Sequence, residues 1–149
     1  MTPQENVEIA RTVLELYNSH QSDPAWLEKI DPYIAEDCET IDVPTGRTLR
    51  GPEGYRQNAL FFAEAFPDSK VELTNVFATE DQTVIEFTGR GTNTGPLHLP
   101  TGDIPPTGRF SELRFCSVNR VRGGQVVSIH QYYDVLTMLQ QLGLVPAMG

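Results

Sequence analysis

The chain has 149 residues, 39% of them apolar and 21% charged, and eleven basic against twenty acidic side chains leave a net charge of −9. That length suits one domain, able to bury about two thirds of the surface its unfolded form exposes, and the acidic balance argues against nucleic acid or an anionic membrane surface as a partner. No stretch approaches the roughly 20 consecutive apolar residues of a membrane helix, and the opening MTPQENVEIA lacks the basic flank and apolar run of a signal peptide, so a cytoplasmic location is expected.

The first element announces itself through Thr2 as a cap, Pro3 at the first helical position and Glu5 completing a capping box. Val7, Ala10, Leu14 and Tyr17 then recur at helical spacing and place one apolar stripe against a core. Asn18 to Asp23 is turn-rich, and Asp23 before Pro24 caps a second short helix holding Trp26, Leu27 and Ile30, with Tyr33 and Ile34 continuing its apolar face. Thr40, Ile41 and Val43 suit a short strand ended by Pro44 and Gly46. Gly51-Pro52-Glu53 opens a third helix with Tyr55, Ala59, Phe62 and Phe66 along one face, broken at Pro67-Asp68.

From Lys70 the period changes to two: Val71, Leu73 and Phe77, then Val84, Ile85 and Phe87 beyond the polar turn Glu80-Asp81-Gln82, predict a hairpin. Residues 89–108 are rich in glycine and proline, so at least part of them forms a long loop of the kind that often covers a site. Strands resume over Phe110 to Val121, turn at Gly123-Gly124 and return from Gln125 to Asp134, before a last helix from about Val135 to Leu142 stops at Gly143. Helices first, then a four-stranded antiparallel meander, then a short helix predict a single α+β domain over residues 1–149, with helices packed on one side of a bent sheet. The open end of such a sheet is a concave site.

On the last strand, Ser128, His130, Tyr132 and Asp134 point one way and Ile129, Gln131 and Tyr133 the other. His130 and Asp134 stand roughly 13 Å apart between Cα atoms at about 3.3 Å per residue, which excludes a direct dyad. Asp134 therefore acts alone or with a partner from another element, and Asn93, His98, Tyr33 and Tyr55 are the candidates.

The segments Pro106 to Arg109 (PTGR), Gly91 to Gly95 (GTNTG) and His130 to Leu144 (HQYYDVLTMLQQLGL), with the Phe66-Pro67-Asp68 break and the Gly51-x-x-Gly54 start, resemble the SnoaL-like polyketide cyclases of the nuclear transport factor 2-like superfamily. The likeness extends over most of the chain. It implies an α+β barrel-like cone, a homodimer formed through the exposed sheet face, and no metal or organic cofactor. It also implies intramolecular aldol closure of a polyketide methyl ester, with the acid just before the final helix, here Asp134, as general acid/base. Many relatives carry His where this chain has Asn93, and His98 lies five residues on.

Aldol closure needs a base to take a proton from a carbon between carbonyls and an acid to protonate the new alkoxide, and one carboxylate can do both in turn. An Asp with an ordinary pKa of about 3.9 is a poor base, and burial among aromatic residues would raise it. Asn93, His98, His130, Tyr33, Tyr55, Trp26 and Phe62 are the expected substrate contacts, on a small apolar, polyketide-like molecule. Against catalysis stands a plainer role: Asp134 sits where an N-cap for the last helix belongs. A carboxylate open to a pocket would favour an enzyme, and one bound to the amide of residue 136 or 137 a non-catalytic binding protein. A ketosteroid isomerase-like, hydroxylase-type or hydrolytic relative is the enzymatic alternative, since one fold carries several chemistries.

Three further features read as structural. Glu36, Asp37, Glu39 and Asp42 suit a solvated face rather than a metal site. Cys38 and Cys116 suit buried small hydrophobes. Arg109 suits an ion pair, with Glu112 as a possible partner.

Overall fold

The computed structural model describes residues 1–146. Helix α1 runs over Pro3–Asn18 and starts as its sequence requires: the Thr2 hydroxyl accepts from the Glu5 amide at 3.1 Å while the Glu5 carboxylate accepts from the Thr2 amide. Helix α2, Trp26–Ile30, is shorter than expected and passes into a 3-10 turn over Asp31–Tyr33. Pro32 has no amide hydrogen to continue an α-helix, so Ile34 begins strand β1, Ile34–Asp42, instead of extending the helix face. Strand β2, Arg47–Arg50, returns along β1 and leads into helix α3, Gly51–Ala65.

The remaining elements are β3 (Lys70–Ala78), β4 (Gln82–Thr92), a small hairpin of β5 (Leu97–Leu99) and β6 (Gly102–Ile104), the long β7 (Phe110–Arg122), β8 (Gln125–Tyr133) and helix α4 (Val135–Gln141). The main sheet has six strands in the order β2-β1-β8-β7-β4-β3, not four. Four of its neighbouring pairs are antiparallel, but β1 lies parallel to β8, with Asp42 beside Gln131, which corrects the all-antiparallel expectation. The sheet is open, with β2 and β3 at its edges.

Register shifts in the β1–β8, β3–β4 and β7–β8 ladders bend the strands around the helices. Along β7, Ser111, Leu113, Phe115, Ser117, Asn119 and Val121 are buried while Phe110, Glu112, Arg114, Arg120 and Arg122 are exposed, so one face packs into the core beneath the helices and the other is uncovered. The core beneath the helices has two parts. Ile30, Ile34, Cys38, Ala59, Val126 and Ile129 belong to one, and Phe61, Phe66, Leu97, Phe115, Met138 and Leu142 to the other.

Candidate functional site

Between α1, α3 and the inner sheet face lies a cavity of about 100 Å³ walled by Tyr55 and Phe62 of α3, Phe66 at its C-cap, and Phe87, Leu113 and Phe115 of the sheet. The aromatic stripe of α3 supplies one wall because helical spacing sets those residues along one face. A second, deeper chamber of about 90 Å³ adjoins it, reaching Asn6, Ile9 and Val13 of α1 and the polar group Thr83, Ser117 and Asn119. Leu14, Tyr55, Asn58, Phe87 and Gln131 border both chambers. Among the described residues no carboxylate lines either one.

A buried carboxylate lies one residue behind this wall. Asp42, 1% exposed, accepts from the Gln131 amide nitrogen at 3.2 Å, from the Tyr133 hydroxyl at 3.2 Å and from the Thr45 hydroxyl. Three donors converge on it, as a buried anion requires. Gln131 in turn accepts on Oε1 from Asn58 Nδ2 at 3.4 Å, which leaves Asn58 Oδ1 buried without a hydrogen-bond partner among the described residues. Burial, and after it the neighbouring Asp42 charge, raises the Tyr133 phenol far above its ordinary value, so it remains a donor. Arg47 lies with its guanidinium carbon 5.2 Å from the centre of the Phe61 ring, and its Nε is buried without a hydrogen-bond partner among the described residues.

Asp42 was read from the sequence as part of a solvated acidic face, and that is corrected. Glu36 and Asp37 are exposed, and Glu39 and Asp37 meet Arg50 and Arg122, but Asp42 turns inward. The signal was available in the strand period: Cys38, Thr40 and Asp42 share a parity, and all three are buried.

Asp134 is an N-cap. Its carboxylate accepts from the Thr137 amide at 3.0 Å and the Thr137 hydroxyl at 2.6 Å, is exposed, and lines neither chamber. The expected burial among aromatic residues does not occur. The Thr137 hydroxyl, and after it the Thr137 amide, hold the Asp134 carboxyl below the ordinary Asp value instead of above it.

Of the expected ligand contacts, Tyr55 and Phe62 line the cavity. Burial pushes the Tyr55 phenol well above its ordinary value and the Tyr17 phenol, bonded to Ser69 Oγ at 2.8 Å, up to about 12. Trp26 lies in the core, edge-on to Tyr17 at 5.6 Å between ring centres. Tyr33 sits in the 3-10 turn, and His130 stands opposite Val118 on the uncovered sheet face. None of these three borders either chamber.

Asn93 is fully buried and spends its side chain on the chain itself. Its Nδ2 donates to the carbonyls of Ala65 and Gly95, and its Oδ1 accepts from the Thr107 amide and hydroxyl. It thereby ties the 93–109 segment to the end of α3. Gly95 completes that junction, because a Cβ there would stand 1.8 Å from the Glu64 carbonyl oxygen. His98 is exposed on β5 and bridges two acids, Nδ1 to Asp103 at 2.9 Å and Nε2 to Glu64 at 3.2 Å. Asp103, and more weakly Glu64, raise its pKa above the ordinary histidine value.

Two minor expectations also change. Glu112 pairs with Arg90 at 2.9 Å instead of Arg109, because Arg90 is its cross-strand neighbour. Cys38 is buried, but Cys116 is half-exposed on the outer sheet face. No group of three potential metal-binding side chains occurs among the described residues, and no helix among them is long and apolar enough to cross a membrane.

A curved open sheet wrapped around helices, with its cavity on the concave side, defines the nuclear transport factor 2-like class, and solved structures agree. A protein from Jannaschia sp. CCS1, described provisionally as a SnoaL-like polyketide cyclase, superposes with a TM-score of 0.81 at 18% identity over 97% of this chain and 95% of its own. TsrD from Streptomyces laurentii gives 0.78 at 21% identity over 97% and 99%. IdmH from Streptomyces antibioticus, given provisionally as a polyketide cyclase, gives 0.70 at 27% identity over 92% and 97%. The family model for SnoaL-like polyketide cyclases matches residues 7–142, and the chain belongs to that family. A search among curated proteins matches none.

Proposed function

We propose that this protein is a polyketide-cyclase-type enzyme that takes a small, largely apolar ester with adjacent carbonyl groups into the cavity and closes a ring on it by cofactor-free acid/base chemistry. The observation that supports this reading is the aromatic-walled cavity with a hydrogen-bonding floor of Tyr55, Asn58 and Gln131, in a chain of the SnoaL-like family. In an intramolecular aldol closure, a base takes a proton from the carbon between two carbonyls, that carbon bonds to a third carbonyl carbon, and the resulting alkoxide takes a proton back. Substrate and product have the same mass until water is lost.

Two carboxylates compete for the proton-transfer role. Asp134 holds the family position but must release Thr137 to reach a ligand; Asp42 is buried and stands behind Gln131. The test is turnover of a polyketide methyl ester bearing a 1,3-dicarbonyl arm, followed chromatographically in wild type, Asp134→Asn and Asp42→Asn, with binding measured in parallel. Turnover lost in Asp134→Asn with binding kept assigns the acid to Asp134. Loss confined to Asp42→Asn moves it to Asp42. The second reading, a non-catalytic binding protein, is favoured by the capping of Asp134, and ligand binding without turnover in wild type establishes it.

The family resemblance and the uncovered sheet face together support a homodimer. Across that face Phe77, Val84, Val118, His130 and Ile41 are successive cross-strand neighbours, an apolar row broken by one histidine. Arg120 lies two residues along β7 from Val118, and Glu86 two residues along β4 from Val84, so both charge signs flank the row, as a surface pairing with its own copy needs.

A further inference from the structure

We propose that the inner end of the cavity selects ligands carrying a hydrogen-bond donor: Asn58 Oδ1 accepts the hydroxyl of an otherwise apolar molecule, and Asp42, acting through Gln131, holds Asn58 in that orientation. The inference rests on the reading that the cavity takes a small molecule and adds which functional group it recognises.

The chemistry of the chain Asp42, Gln131, Asn58 has a direction. An ionised carboxylate only accepts, so the group Gln131 turns toward Asp42 is its NH2, at 3.2 Å. The Gln131 carbonyl then faces the other way and takes a hydrogen from Asn58 Nδ2. That fixes Asn58 in turn, and its carbonyl oxygen is left over on a residue 6% exposed that borders both chambers. A buried acceptor without a donor costs free energy that a ligand hydroxyl recovers on binding. Asn6 offers a second acceptor of the same kind beside the deeper chamber: its Nδ2 donates to the carbonyls of Thr79 and Glu80, and its Oδ1 has no partner among the described residues. Tyr55 borders both chambers but can donate or accept, so it does not set the preference. The ligand class that fits is an aromatic or alicyclic body bearing a phenolic or enolic hydroxyl at the end that enters first.

Asp42 is a positioning residue here, and replacing it with Asn gives a result that simple loss of structure does not. Asn at 42 can offer its own NH2 to the Gln131 carbonyl. Gln131 then turns its NH2 toward Asn58 Oδ1, and Asn58 presents Nδ2 to the cavity. The preference reverses from donor to acceptor.

The experiment measures dissociation constants of 2-naphthol, 2-methoxynaphthalene and 2-acetylnaphthalene on the full chain, by naphthol fluorescence and competition. The readout is the ratio of constants, methoxy over hydroxyl, compared between proteins so that the cost of leaving water cancels. In Asn58→Leu the ratio is expected to fall about tenfold. In Asp42→Asn it is expected to fall while 2-acetylnaphthalene gains on 2-naphthol. An unchanged ratio in folded Asn58→Leu overturns the donor site, and unchanged preferences in Asp42→Asn overturn its control by Asp42. Should Asn58→Leu fail to fold, Asp42→Asn, which conserves shape, decides both points. Probes that bind with an unmoved ratio defeat this inference alone, whereas no binding of any probe to wild type defeats the cavity reading and the inference with it.

Discussion

Asp42 and Gln131 stand side by side on the parallel ladder between β1 and β8, joined by a 3.2 Å hydrogen bond from the Gln131 amide to the Asp42 carboxylate. A residue of the first strand thus holds, from behind, a residue of the last strand that borders the cavity. Removing the carboxylate leaves the Gln131, Tyr133 and Thr45 donors without their common acceptor. Asp42→Ala is expected to lose roughly 3 kcal/mol of stability, and Asp42→Asn clearly less, because the amide still accepts on its oxygen. Urea denaturation of the two variants checks the order.

For Asp134 the pair of substitutions separates cap from catalyst. Asn caps a helix about as well as Asp, whereas Ala does not. Asp134→Ala is expected to lower the thermal midpoint by a few degrees, and Asp134→Asn to leave it nearly unchanged. The lowered carboxyl pKa has a pH signature as well. A depressed folded-state value means that the capping contribution is fully present above the ordinary Asp value, about 3.9, and is lost as pH falls through the folded value. Wild type is thus expected to shed this contribution only in acid, and Asp134→Asn to lack that component of its acid titration.

His98 carries the opposite sign. Its folded-state pKa is raised, first by Asp103, so its bridge to Asp103 and Glu64 is complete below the ordinary histidine value of about 6.5 and weakens as pH rises through the folded value. Amide exchange in the β5–β6 hairpin is expected to quicken over that interval beyond the intrinsic dependence on hydroxide. His98→Gln removes the excess, and an equal excess in the variant would show that the hairpin is held by something else.

At Gly95 the nearest atom to an added Cβ is backbone, the Glu64 carbonyl oxygen, and it cannot swing away. Gly95→Ala is expected to cost roughly 3 kcal/mol and to loosen the Asn93 contacts to Ala65 and Thr107. Denaturant unfolding gives the first number, and exchange of the Thr107 amide reports the second.

Val118→Glu sets a charge in the middle of the uncovered apolar row, next to Val84 and His130. Sedimentation equilibrium is expected to show a dimer for wild type and a monomer for the variant with an unaltered far-ultraviolet spectrum. A monomeric wild type at high concentration would sink the homodimer.

The helices and the second-half hairpins were legible because their periods are clean. The capping box at Thr2 and Glu5, the aromatic face of α3 and the alternation through β7 each state one structure. Strand β1 was only half legible, since Glu36 and Asp37 interrupt its alternation where the ladder to β8 shifts register. Its parallel pairing could not be read at all, because that depends on residues some ninety positions away. The same holds for the floor of the cavity. Nothing local to Asp42 announces that Gln131 and Tyr133 will arrive beside it, whereas the Asp134-to-Thr137 cap lies within four residues and was weighed from the outset.

The parallel seam between β1 and β8 also constrains the order of events during synthesis. While the ribosome is still making residues 125–133, β1 has β2 on one side and an open edge on the other, and the Asp42 carboxylate lacks two of its three donors. Nascent chains ending before Gln131 should therefore hold α1, α2 and α3 without a finished floor. Completion awaits the last strand, a long-range step of the kind that slows folding.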